Sequence, residues 1–317
     1  MGAFVLLYSN EIDYNRLLLS ALRLLVISTI IIYLFRITGI IDYYIGAGSY
    51  GGEETYSKYR YLINVQIIYL CLFYIYATIR KQYGLELTLF DKILVYLCAF
   101  LIITSTQRMV TLLYGLFLVY EIVFFQNKRF AFFTFALVVF GFLLLPPEFK
   151  GMIQVAFIDV YDYEGSTAES KLKDIPASIN ALYYDGSLIF GRFFSAQGLE
   201  RSFGDFYSRS TRGVHNLYIT YMYNGGIIFF LMIISLWYKV TNKLLKLYKI
   251  LTSVYFLIDN RSTALVLTCI LSIVFLFLFN MSSGIGFLSS FILGFSIITL
   301  QMITFNLQKR LKATKIN

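Results

Sequence analysis

Charge is scarce in this sequence. Asp, Glu, Lys and Arg together make up 14% of 317 residues, where a soluble globule carries about a quarter. So few charged side chains leave no soluble domain that could present a nucleic-acid surface, even though the net charge is +9. Histidine occurs once, at His215, and cysteine three times, at Cys71, Cys98 and Cys269. The cysteines lie inside apolar runs, without CxxC spacing or a partner histidine. Neither a zinc site nor a disulfide framework is expected, and they read as small packing residues. Proline is rare too. Pro146-Pro147 closes one apolar run, because proline lacks the donor a helix needs. No succession of short alternating strands suggests an outer-membrane barrel, and no repeat of fixed period is present.

What is there is apolar surface, at 58% hydrophobic residues and a mean hydropathy of +0.70. It falls into runs long enough to cross a hydrocarbon core, which takes about 20 residues as a helix. In lipid the backbone must satisfy its own hydrogen bonds, so each run is expected to be helical. The runs are Leu17 to Ile41, Tyr61 to Ile79, Ile93 to Thr104, Met109 to Phe125, Phe130 to Leu145, Leu217 to Trp237, Thr263 to Phe279 and Phe287 to Phe305. The expected fold is all-α: a polytopic transmembrane helix bundle of about eight spans with one large outer-face loop. Residues 1–145 hold about five spans, 146–214 form the periplasmic or extracellular loop, and 215–317 hold about three spans and a basic cytoplasmic tail.

Lysine and arginine set the expected orientation, because short cytoplasmic loops carry the excess of both. Arg80 and Lys81 follow the second run, and Lys128 and Arg129 the fourth. Lys239, Lys243, Lys246, Lys249 and Arg261 follow the sixth, and Lys309, Arg310, Lys312 and Lys315 the eighth. With alternating spans all these clusters fall on one side, so both termini are expected in the cytoplasm. The start, Met1 to Ser9, is too short for a span and lacks the marks of a signal peptide. The first run can serve as its own signal anchor.

Polar residues inside spans are expensive and mark function by default. Arg23 and Arg36 lie in the first run and Glu121 in the fourth. Arg23 and Glu121 sit near the cytoplasmic ends of their helices, where a structural ion pair or snorkelling accounts for them. Asp91 and Lys92, at the start of the third run, call for no special account.

The outer face is richer in chemistry. Arg108 ends the turn Thr104-Ser105-Thr106-Gln107-Arg108 between two spans. There its planar fork of donors suits phosphate oxygens; the plainer reading is an interfacial anchor. The long loop finishes with Arg192, Arg201, Arg209 and Arg212, interleaved with Phe193, Phe194, Phe203, Phe206 and Tyr207. Arginine clusters suit phosphate and aromatic faces suit sugar rings, and lying on anionic headgroups is the plainer alternative. His215 follows, beside Asn216, where the loop meets the sixth span. Imidazole can act as a base at neutral pH; its plainer role is a polar helix start with Asn216 as cap.

Val214-His215-Asn216-Leu217-Tyr218 followed by Gly225-Gly226-Ile227-Ile228 resembles a motif of the O-antigen ligase and polymerase superfamily. In that family a His-Asn pair ends a large periplasmic loop and a glycine-bearing helix follows. Ser105-Thr106-Gln107-Arg108 resembles the family's short Ser/Thr-x-Arg turn. Gly186-Ser187-Leu188-Ile189-Phe190-Gly191 resembles a loop segment of a few apolar residues ending in glycine. The likeness covers the chain from about residue 90 onward. Family members carry more spans than are read here, and the difference is expected at the N-terminus. They also carry an arginine before the apolar-glycine segment, where this chain has Lys171 and Lys173.

The resemblance implies a glycosyltransferase of the bacterial inner membrane that polymerises polyprenyl-diphosphate-linked oligosaccharide repeat units into O-antigen or capsule. The alternatives are ligation to lipid A-core and non-catalytic transport of the lipid-linked glycan. It further implies His215 as base or acceptor-orienting group and Arg108 as a catalytic cation. Arg192, Arg201, Arg209, Arg212 and Asn216 would bind substrate, with no metal and no cofactor. Membrane lipid, a chain-length regulator and a flippase would be partners, and nucleic acid would not. A metal-dependent transferase using Asp159, Asp162 and Glu164 is a rival, although these acids read more simply as exposed loop residues. A transporter is a second rival, but transporters show paired repeats and discontinuous helices, and neither is visible in the sequence. A structural subunit without activity is the third.

Overall fold

The computed structural model describes residues 14–40, 62, 64–104, 108–125, 132, 134–136, 139–140, 143, 176, 179–180, 182–184, 186–191, 217–253, 259–280 and 286–314. These residues form seven long helices and no strand. They are α1 (Tyr14–Ile37), α2 (Asn64–Gln82), α3 (Leu89–Thr104), α4 (Arg108–Phe124), α5 (Leu217–Ser253), α6 (Asn260–Asn280) and α7 (Gly286–Thr314). The chain is a helical membrane protein. Arg16–Ile37, Gly225–Ser253, Asn260–Asn280 and Ser289–Gln308 are long and apolar enough to cross a bilayer, and Met109–Phe124 is a shorter apolar helix.

Two helices organise the rest. The α2 helix packs against α1, α3 and α4; α6 packs against α5, α7 and α4; and α2 and α6 lie against each other. This central position explains the composition of α2. It carries Gln66, Tyr74, Tyr76 and Thr78, all buried. A helix covered by its neighbours needs no lipid-compatible surface, so its polar groups are matched inside the protein. The Arg23–Asp91, Tyr83–Tyr248 and Asn280–Ser289 bonds bring helix ends together at two levels of the bundle. We call the end where α1, α3 and α6 finish and α2, α4, α5 and α7 begin the upper end.

Several helix ends are written in local chemistry. Gly39 (φ 72°) and Gly84 (φ 67°) follow α1 and α2. In each case the glycine N–H and the next N–H bond back to the last turn: Gly39 to Arg36 and Ile40 to Phe35, Gly84 to Lys81 and Leu85 to Arg80. That is the Schellman ending, which requires a left-handed residue. The α3 helix opens on a reciprocal cap. The Thr88 N–H donates to Asp91 Oδ2 at 3.1 Å, and the Asp91 N–H donates to Thr88 Oγ1 at 3.1 Å. Asp259 caps α6 by accepting from the Arg261 N–H and the Ser262 hydroxyl.

Three expectations are corrected. The third run starts earlier, because the Thr88 cap places Asp91 and Lys92 inside the helix. The basic stretch after Trp237 is not a loop but a continuation of α5 to Ser253. There Trp237, Val240, Leu244, Leu247 and Leu251 form a buried stripe, while Lys239, Lys243, Lys246 and Lys249 stay exposed. A hydrogen bond between the Tyr83 and Tyr248 hydroxyls at 2.8 Å ties this extension to the turn after α2. Third, the sixth run is not one straight helix from Leu217, as described next. Most of the expected fifth run (130–145) lies outside the described residues.

Candidate functional site

The α5 helix breaks at Gly226, whose φ of 71° and ψ of −175° are far from helical. The arm before the break (217–225) folds back along the arm after it (Gly225–Ser253). The rings of Tyr218 and Phe230 lie 6.5 Å apart, although in a straight helix those residues would be about 18 Å apart. Tyr221 meets Phe229 edge-on at 5.9 Å. The Tyr218 hydroxyl donates to the Phe277 carbonyl at 2.8 Å, which fixes the first arm to the last turn of α6. Trp237 packs on the same Phe277 ring at 6.0 Å.

The break is filled by the loop segment 186–191. Leu182, fully buried, packs with Leu188 and with Met222 of the first arm. Gly186 (φ 67°) ends a turn in which its N–H bonds Tyr183 and the Ser187 N–H bonds Leu182. Gly191 (φ 69°) closes the segment by donating to the Ser187 carbonyl at 2.7 Å. The carbonyls of Leu188 and Ile189 then accept from the N–H groups of Ile227 and Ile228 at 2.9 and 3.4 Å. A helix start leaves its first N–H groups without internal partners, and here the loop supplies them. Glycine is required at position 226 on two counts. A side chain would disfavour that backbone, and its Cβ would press into the Ile189 carbonyl and lie 2.6 Å from the Gly191 nitrogen.

The upper end of α6 adds polar groups. Asn280, fully buried, donates through Nδ2 to Ser289 Oγ of α7 at 2.7 Å. At the opposite end Arg23 and Asp91 form a two-point ion pair, with both N···O distances at 2.6 Å. Asp91 is 1% exposed and also accepts the Thr88 hydroxyl at 2.8 Å. Glu121, also 1% exposed, accepts from the Tyr74 hydroxyl at 3.3 Å. The sequence suggests a structural ion pair or snorkelling for Arg23 and Glu121, and Arg23 is indeed in an ion pair. The partner of Arg23 is Asp91, and Glu121 sits with a phenol on α2.

Of the residues expected to act on substrate, Arg108 is the first residue of α4. His215, Asn216, Arg192, Arg201, Arg209 and Arg212 lie outside the described residues, as do Asp159, Asp162 and Glu164. Two of the three motifs are brought together: the 186–191 segment and the Gly225-Gly226 pair meet at one backbone joint. Sequence reading missed the break itself and the partners Asp91, Tyr74 and Tyr218. The Thr88-x-x-Asp91 cap was the one available signal for Asp91. Among the described residues no three His, Cys, Asp or Glu side chains gather as metal ligands would. No family model, no curated protein and no solved structure matches this chain.

Proposed function

We propose that this chain is a polytopic membrane glycosyltransferase of about eight spans, acting on the outer face of a bacterial inner membrane. It extends a glycan by transferring it from a polyprenyl diphosphate onto the next lipid-linked repeat unit. The observation that carries the reading is the joint at Gly226. The 186–191 loop and the glycine-bearing helix after His215-Asn216 resemble two motifs of one transferase superfamily. They meet through two backbone hydrogen bonds, Ile227 to Leu188 and Ile228 to Ile189, between residues 39 apart in the chain. The upper end of the bundle is then the outer face, since Arg80 and Lys81 close α2, Lys239 to Lys249 line the last part of α5, and Lys309, Arg310 and Lys312 close α7, all away from that end.

The chemistry needs two things. The acceptor hydroxyl oxygen attacks the anomeric carbon as the bond from that carbon to the phosphate oxygen breaks, and its proton passes to a base. The diphosphate leaves with the bonding electrons and must be met by fixed cations in a poorly hydrated site. His215 is the base, or holds the acceptor; Arg108, at the start of α4, and the loop arginines hold the diphosphate. No metal enters this scheme.

The test is glycan length on a gel from cells carrying His215→Ala or His215→Gln. Loss of a general base costs about 10²–10⁴-fold in rate, enough to remove visible polymer while single capped repeats persist. Loss of all capping would indicate ligation to lipid A-core instead. Full-length polymer from His215→Ala would defeat the catalytic role. Activity in the Gln variant alone would make His215 an acceptor-positioning residue. A second reading, transport of the lipid-linked glycan, is favoured by one observation: a helix interrupted inside the bundle, a feature of transporters.

A further inference from the structure

Among the described residues two carboxylates are buried, and they are treated differently. Asp91 has a guanidinium at two points, a hydroxyl and a backbone N–H. Every one of these favours its charged form. Glu121 has the Tyr74 phenol and, among the described residues, no ion pair. A permanently charged carboxylate held this way inside a membrane protein is expensive, and such residues mark proton and ion pathways.

The surroundings of Glu121 extend in one direction. Tyr74 of α2 meets Tyr114 of α4 edge-on at 4.9 Å, and Tyr114 lies two turns above Glu121 on the same helix. The Tyr114 hydroxyl lies beside that of Tyr74, and the Thr111 hydroxyl, nearer the upper end, is buried with no hydrogen-bond partner among the described residues. From Thr111 to Glu121 is a rise of about 15 Å, half the thickness of a hydrocarbon core. A hydroxyl both donates and accepts, so this file suits a proton. The buried, unpartnered Thr111 hydroxyl also calls for an explanation that packing does not give.

We infer that Glu121 is a proton-binding site inside the bundle, exchanging its proton through the hydroxyls of Tyr74, Tyr114 and Thr111. The groups facing it are few. From α2 they are Tyr74 and, acting through space, Lys81 at the lower end; from α4, Tyr114; from the segment beyond α4, Thr134, bonded to Tyr74. Arg23 is committed to Asp91. The inference does not rest on the glycosyltransferase reading, since proton binding is observable without substrate.

The test is infrared difference spectroscopy of the full chain in phosphatidylcholine vesicles as pH is varied. The wild type gives a protonated-carboxyl band that titrates, sensitive to exchange into deuterium oxide and absent from Glu121→Gln. Tyr74→Phe keeps the carboxyl but removes the donor that favours its charged form. The midpoint then moves from its wild-type position. Tyr74→Phe also serves if Glu121→Gln does not fold. A carboxyl band unchanged in Glu121→Gln, no titrating band in the wild type, or a Tyr74→Phe midpoint that stays put would overturn the assignment.

Discussion

Replacing Gly226 with alanine tests the joint on which the functional reading stands. An L-residue at φ 71° and ψ −175° occupies a region open almost only to glycine, at a strain of about 1–3 kcal/mol. The new Cβ meets backbone, the Ile189 carbonyl and the Gly191 nitrogen, so neither neighbour can swing aside. Relief requires the loop to lift off, which loses the bonds from Ile227 to Leu188 and from Ile228 to Ile189. At about 1 kcal/mol net for each bond, the whole cost is about 3–5 kcal/mol. Gly186→Ala is the control. It also has positive φ, but nothing lies within 4 Å of its Cβ, so only a strain of about 1 kcal/mol is expected. The single tryptophan, Trp237, is buried on the second arm against Phe277 and reports unfolding in detergent without added labels. Faster hydrogen exchange at Ile227 and Ile228 should accompany the loss. Equal destabilisation by the two alanines would refute the argument, because the collision with the loop would then contribute nothing.

The Arg23–Asp91 pair should show strong coupling in a double-mutant cycle followed by thermal unfolding. Arg23→Ala, which leaves a buried carboxylate unpaired, is expected to cost about 3 kcal/mol, and additive single effects would mean the pair is incidental. Arg108→Lys keeps the charge but loses the planar fork. Polymer should fall while the amount of protein in the membrane is unchanged, and full activity would leave Arg108 a membrane anchor.

Helix positions were legible because hydropathy alone decides them in a membrane protein. Seven of the eight expected runs coincide with a described helix to within about a turn at one or both ends. The extension of α5 was misread for a physical reason: lysines on the exposed face of a helix look like a basic loop when only charge is counted. Their spacing at 239, 243 and 246, beside apolar residues at 240, 244 and 247, was the helical signal. The partner of Arg23 was out of reach, since Asp91 is 68 residues away and no local pattern links them. The break at Gly226 was hidden because two glycines in an apolar run serve equally well as small packing residues or as a hinge. Only the loop that fills the space distinguishes the two.

That loop also bears on where chemistry can sit. A base must come within hydrogen-bond reach of the proton it takes, and a site carried on a rigid element holds that geometry better than one on a free loop. The first arm of α5 begins two positions after His215, with Tyr218 fixed to α6 and Met222 packed on Leu182. Just past the arm, Gly226 has surroundings that leave no room for a Cβ, and two loop carbonyls accept from Ile227 and Ile228. Folding the arm back gives it protein contacts on α6, on the second arm and on Leu182. The interrupted helix therefore does not favour transport alone: the same break supplies what a transferase needs, a backbone already fixed before substrate arrives.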